Sequence, residues 1–152
     1  YREAAFLIPF LSFYPIMYTI SETTVNGINF LKKSYMHIII AIISFIANFA
    51  GNLFLIPYLG GRGAAISTGT SYILFFTLRT LISNKYYPVK YELGKIYTLT
   101  LITLFYATYN TFYTISILSV VMYLITMSVL IILYHNTIKA VISRFLLNKV
   151  KK

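Results

Sequence analysis

The sequence predicts an all-α fold: a polytopic transmembrane helix bundle of about five membrane spans, closed by a basic amphipathic helix at the carboxy terminus. Three observations carry that reading. First, 59% of the 152 residues are hydrophobic, only 11% are charged, and the mean hydropathy is +0.77. Soluble domains run near about 25% charged, so a protein of this size could not hide so much apolar surface from water. Second, the few charges bound long charge-free runs. Third, the bases gather at alternate junctions between those runs. Length alone favours roughly one domain.

A bilayer core of about 30 Å takes about 20 apolar residues in a helix. The charge-free runs are Ala4 to Ser21, Ile38 to Gly61, Gly63 to Leu78 and Ile96 to Tyr134. The last run holds 39 residues, too many for one span, and its most polar point is Tyr109-Asn110-Thr111. A tight turn there gives five helices, at about 4–25, 35–57, 63–83, 95–110 and 112–134. Together they make a bundle over 1–134, with a tail at 135–152. Pro9 and Pro15 fall inside the first helix, where a kink or break is expected. Thr98, Thr100, Thr103, Thr108 and Asn110 dilute the fourth.

The charges sort with this topology. Lys32 and Lys33, then Arg79, Lys85, Lys90 and Lys95, then Lys139, Arg144, Lys149, Lys151 and Lys152 fall on one side, eleven bases in all. Arg2 and Arg62 alone fall on the other. The positive-inside rule makes the eleven-base side, and the carboxy terminus, cytoplasmic. In the tail, Ile138, Val141, Ile142, Phe145 and Leu146 recur at helical spacing among the bases. That pattern suits an interfacial helix on anionic lipid. The net charge of +10 therefore points to a membrane surface rather than to nucleic acid.

The abrupt start at Tyr1, with no initiator Met and no signal peptide before the first apolar run, suggests the carboxy-terminal piece of a longer protein. Catalysis has little to stand on. There are no cysteines, and the acids are Glu3, Glu22 and Glu92. His37 and His135 lie on separate loops, no His pair has metal-ligand spacing, and no Ser sits in a nucleophile elbow. No catalytic residue, metal or cofactor is therefore expected, and the chain reads as no enzyme.

The candidate functional residues are polar groups inside spans. Asn48 and Asn52 are four apart, hence on one helix face, and either pair across helices or line a polar cavity. Tyr72, like Tyr14, Tyr18, Tyr106 and Tyr123, falls inside a span and needs a partner for its hydroxyl. Glu22 and Arg79 sit near helix ends. Either they snorkel to the cytoplasmic interface, or Arg79 lies beside a substrate phosphate and Glu22 couples an ion. Gly60-Gly61-Arg62-Gly63 is a turn between antiparallel spans, and Gly63, Ala64 and Ala65 open a helix built for close packing.

The run Asn52-Leu-Phe-Leu-Ile-Pro57-Tyr-Leu-Gly60-Gly-Arg-Gly63-Ala64-Ala65-Ile-Ser-Thr68, followed by Ser71-Tyr72, resembles a signature of the Wzx-type polysaccharide flippases of the MOP superfamily. Upstream, Asn26-Gly-Ile and Lys32-Lys33-Ser34 look like the loop that precedes it, and Leu59 to Gly63 holds one residue more than the usual pattern. The resemblance covers roughly Gly27 to Tyr72 and is weak beyond. It implies two six-helix lobes around a cavity, with this chain as about helices eight to twelve and the amino-terminal lobe as its partner. It further implies alternating access in the bacterial inner membrane. The substrate implied is an undecaprenyl-pyrophosphate-linked oligosaccharide, bound for O-antigen, capsule or lipopolysaccharide. The alternatives are a MATE-like multidrug or cation antiporter, which needs a buried acid, and a polysaccharide polymerase, which needs a sizeable external loop.

Overall fold

The first apolar stretch folds not as one rod but as a chain of short helical pieces. A 3-10 turn at Glu3–Phe6 leads into α1 (Ile8–Leu11), α2 (Phe13–Thr24) and α3 (Asn26–Phe30). A computed structural model describes residues 3–113 and 116–150, with the side chains at 142 and 144–150 outside the description. The expected break is present. Pro9 sits in the first turn of α1, where its missing N–H costs nothing. Pro15 cannot donate to the carbonyl of Leu11, and α1 and α2 part there, at Ser12.

After the turn around Lys32, which takes a left-handed φ of 53°, come α4 (Tyr35–Leu59) and α5 (Gly61–Tyr86). α4 runs two residues past Pro57, whose missing N–H leaves the Leu53 carbonyl without its helical donor only one turn before the helix ends. α5 ends where Pro88 forces Tyr87 into an extended conformation, φ −142° and ψ 97°. The chain then forms α6 (Leu93–Phe112), α7 (Ile117–Leu133) and α8 (His135–Val150). Every element among the described residues is helical.

Two helices are long and apolar enough to cross a membrane: α4, with mean hydropathy 2.2, and α5, with 1.2. A third arises if α7 and residues 135–141 of α8, bent by 71° at Tyr134, count as one span. The sequence reading expects about five. The first stretch is too segmented to pass as a single long helix, α6 is diluted by its threonines, and α7 holds 17 residues. The expected turn at Tyr109-Asn110-Thr111 lies later. Thr111 is buried inside α6 and its hydroxyl donates to the Ala107 carbonyl at 2.9 Å, which absorbs the polarity that suggested a turn. α7 instead opens with Ser116 and Ser119 in a reciprocal capping box.

The described residues fall into two units. One holds residues 3–91 and 107–113, and the other holds 92–106 and 116–150. In the second, Tyr106 and Tyr123 lie 6.4 Å apart, and Lys95 sits over the Tyr134 ring while pairing with Glu92 at 2.8 Å. The tail is helical as expected through Val150. Its side chains Ile142, Arg144, Phe145, Leu146 and Lys149, and the residues Arg2, Lys151 and Lys152, lie outside the described set.

The first unit is organised around α5. Across α4 and α5 the partners are Asn48 with Ser71, Gly51 with Ser67, and Leu55 with Gly63. As one number rises the other falls, so the two helices are antiparallel. Across α1–α3 and α5 the partners are Phe10 with Gly69, Tyr14 with Tyr72, Tyr18 with Phe75, Thr24 with Thr80, and Gly27 with Ser83. Here both numbers rise together, so the broken stretch runs parallel to α5. α5 is thus flanked by α4 and by α1–α3, and in its first half, where both neighbours press close, its buried residues are small: Gly63, Ala65, Ser67, Gly69 and Ser71.

Gly60 and Gly63 make the hairpin possible. Gly60 has φ 54° and ψ −132°, a conformation costly for any residue with a Cβ. A Cβ on Gly63 would lie 2.5 Å from the Leu55 carbonyl oxygen, so only glycine allows the helices to touch there. Ala64 is half-buried and Ala65 buried behind it. At this end Arg62 stacks on Phe6, 4.6 Å from the ring centre. At the other end of α5, Lys33 lies 4.0 Å over Tyr86, and Phe30 stacks on Tyr87.

Candidate functional site

A cleft of about 460 Å³ opens between α2 and α4 along α5. Its walls are aromatic: Tyr18 from α2, Phe45 from α4, and Tyr72 and Phe75 from α5. Its polar groups are Ser44 and Asn48 from α4 and Thr68 and Ser71 from α5, with Ala41 at the edge. Among these lining residues the side chains are uncharged.

The polar groups are tied together across the two helices. The Asn48 amide donates to the Ser71 hydroxyl at 3.2 Å and to the Thr68 hydroxyl at 3.4 Å, and accepts from the Asn52 amide at 3.0 Å. The Ser67 hydroxyl donates to the Asn48 carbonyl at 2.7 Å, and that of Ser71 to the Thr68 carbonyl at 2.8 Å. Asn48 therefore does both things its position suggested: it pairs across helices and it lines a cavity. Asn52 stands behind it and holds its orientation, outside the cleft lining.

Arg79 and Glu22 meet each other. The guanidinium Nη1 donates to the Glu22 carboxylate at 2.7 Å and to the Ser21 hydroxyl at 2.9 Å. The guanidinium also lies 5.4 Å from the Phe75 ring centre and 5.9 Å from that of Tyr18. Arg79 is 8% exposed, its guanidinium covered where it reaches α2. It sits at the end of a file of rings, Tyr14 against Tyr72 at 4.5 Å, Tyr72 against Phe75 at 6.0 Å, and Phe75 against Tyr18 at 6.2 Å. The rings stand between it and the cleft, which it does not line.

The structure thus brings Asn48 and Tyr72 to the cleft, sets Asn52 beside Asn48, joins Arg79 to Glu22, and puts Pro57, Gly60, Gly63, Ala64 and Ala65 in the hairpin. Ser44 escaped the sequence reading. Ser44, Asn48 and Asn52 form an i, i+4, i+8 polar line on α4, and that spacing is the signal that finds it. No group of three or more metal-ligating side chains occurs among the described residues. The chain matches no protein-family model, no curated protein and no solved structure.

Proposed function

We propose that this chain is part of a lipid-linked oligosaccharide flippase, a Wzx-type transporter of the MOP superfamily. It carries undecaprenyl-pyrophosphate-linked repeat units across the bacterial inner membrane for surface polysaccharide. The observation that carries the reading is an uncharged, largely aromatic cleft bearing a few hydroxyls and one amide, beside α4 and α5, the two helices apolar enough to cross a membrane. Sugar hydroxyls and charges lose their water in hydrocarbon at a cost of several kcal/mol, and a polar cleft lowers that cost. The residues of the resemblance support it too, since Asn52, Gly60, Gly63, Thr68, Ser71 and Tyr72 build one hairpin and the cleft beside it.

In this reading the chain makes five crossings, with the first, broken stretch crossing alongside α5, to which it runs parallel. It forms most of one lobe and works by alternating access against a second lobe. The carboxy terminus is cytoplasmic, with the basic tail on anionic lipid, and the protein needs no cofactor and is no enzyme. A cation antiporter needs a free buried acid, whereas Glu22 is held by Arg79, which favours the flippase.

Deletion of the gene in the source organism tests it. Surface polysaccharide should disappear and lipid-linked repeat units should accumulate on the inner leaflet. Normal polysaccharide in the deletion strain, especially with new drug sensitivity, rejects the flippase.

A further inference from the structure

The end of α5 remote from the hairpin carries charge that nothing described in its unit balances. Lys32 and Lys33 lie in the turn before α4, Lys85 in the last turn of α5, and Lys90 in the loop after it. Contacts hold them together. The Lys33 ammonium sits 4.0 Å over the ring of Tyr86, the neighbour of Lys85. The Asn84 side-chain oxygen accepts from the Val89 N–H at 2.8 Å, which folds the loop bearing Lys90 back onto α5. The acids described in this unit are Glu3 and Glu22. Glu22 is held by Arg79 at 2.7 Å, and Glu3 lies at the other end, in the 3-10 turn whose Phe6 stacks on Arg62. Four cations therefore face water in mutual repulsion, which an external anion relieves.

Lys32 gives an independent sign. It follows the last turn of α3 with φ 53°, a left-handed conformation in which glycine or asparagine is the cheaper residue. Its N–H reaches the Asn29 carbonyl at 3.0 Å and that of Lys33 the Ile28 carbonyl at 3.1 Å, the Schellman pattern that glycine usually completes. A lysine held there costs stability, and what it adds is an exposed ammonium.

The surface beside the lysines decides the partner. Phe30 and Tyr87 stack on each other and both are exposed. Leu81 is exposed one turn before Lys85 on α5, and Ile38 and Ile42 are exposed in the first turns of α4. A nucleic acid or an acidic peptide would neutralise the lysines and leave these apolar side chains in water. A phospholipid covers both, with its phosphate on the lysines and its acyl chains along Leu81, Ile38 and Ile42. A zwitterionic headgroup brings its own cation, so the lysines favour a lipid of net negative charge.

We propose that this corner of the first unit is a binding site for an anionic phospholipid, with Lys32, Lys85 and Lys90 as its phosphate ligands and Lys33 fixed beside them on Tyr86. The site involves no residue of the basic tail. It is independent of what the chain transports and requires only that α5 crosses the membrane.

The chain has no tryptophan, so Tyr87→Trp places a single fluorophore at the corner and Tyr58→Trp one at the hairpin end. The intact protein carrying either change is reconstituted in phosphatidylcholine vesicles, with brominated phosphatidylglycerol or brominated phosphatidylcholine as quencher. The fluorophore at position 87 should be quenched at lower mole fractions of the anionic lipid, and the one at position 58 equally by both. Lys85→Gln and Lys90→Gln should each weaken the preference about fivefold, equivalent to about 1 kcal/mol per base. Lys32→Asn should weaken it as much without lowering the melting temperature, because asparagine suits a left-handed φ. That split separates lipid binding from folding.

Equal quenching by the two lipids at position 87 overturns the proposal. So does the same anionic preference at position 58, or a preference that survives all three lysine substitutions. Displacement of the lipid by inorganic phosphate or an oligonucleotide at constant ionic strength also overturns it and assigns the corner to a soluble anion. The polysaccharide of the deletion strain bears on the transporter alone.

Discussion

Arg79 on α5 donates to Glu22 on α2 at 2.7 Å, and the two partners are not equally buried: the arginine side chain is 9% exposed and the carboxylate 45%. That asymmetry sets the order of mutational effects. Glu22→Ala strands a buried guanidinium, whose Nε already lacks a partner. The cost should be about 1–3 kcal/mol, below the figure for a fully buried pair because water reaches the carboxylate. Arg79→Met keeps an apolar stem against Phe75 and frees Glu22 to solvent, so it should cost less. Thermal denaturation of the two purified variants decides the matter, and a more stable Glu22→Ala protein refutes the assignment.

Gly60 and Gly63 should respond differently to side-chain size. At Gly60 the backbone is the obstacle: φ is 54°, and nothing lies within 4 Å of the position a Cβ would take. Alanine and serine should each cost about 1–3 kcal/mol there, with little spread between them. At Gly63 the obstacle is the Leu55 carbonyl, so the penalty should rise from alanine to serine to valine, starting at about 1–3 kcal/mol. Gly94, with open space and an ordinary φ, is the control, and Gly94→Ala should be neutral or slightly stabilising. Melting temperatures check the pattern. A flat series at Gly63, or a steep one at Gly60, contradicts the geometry.

How far this was legible in the sequence differs from part to part. α4 and α5 are legible because each is one long apolar run, with Gly60 to Gly63 turning the chain between them. The broken first stretch was expected from Pro9 and Pro15. The sequence reading sets the turn after α6 too early, because Thr111 hides its hydroxyl on its own helix and the polarity at Tyr109-Asn110-Thr111 carries no turn. Asn48 and Asn52 could be placed on one face from their spacing. Their partners Thr68 and Ser71 could not, since pairing across α4 and α5 depends on where the hairpin turns. The Arg79–Glu22 pair was out of reach for the same reason. Both residues drew notice singly, but their meeting depends on the parallel register between α2 and α5, which no local pattern encodes.

α5 spans 26 residues, about 39 Å of helix, enough to put its ends on opposite sides of a bilayer. Tyr58, 85% exposed beside the Arg62 end, and Lys90, exposed just past the other, are suitable reporters in a chain without cysteine. Tyr58→Cys should react with a membrane-impermeant maleimide in intact cells, and Lys90→Cys only after the membrane is opened. Labelling of both from outside would remove α5 as a crossing and the charge segregation with it.

The seam between α3 and α5 gives a finer test. Gly27 lies in the first turn of α3, where backbone N–H groups have no partner within the helix. Its N–H donates instead to the Ser83 hydroxyl at 2.8 Å, and both residues are buried. One turn away, the hydroxyls of Thr24 and Thr80 share a hydrogen bond of 2.8 Å, but Thr24 also reaches the Ser21 carbonyl at 3.2 Å. Ser83→Ala leaves an N–H buried without an acceptor, at about 1–3 kcal/mol. Thr80→Val removes a bond whose other partner has an alternative, at about 1 kcal/mol or less. Ser83→Ala should therefore melt lower, and hydrogen exchange at the Gly27 amide should accelerate in that variant alone. Equal exchange in the two variants would mean that Ser83 does not cap α3, and the register of α1–α3 along α5 would have to be redrawn.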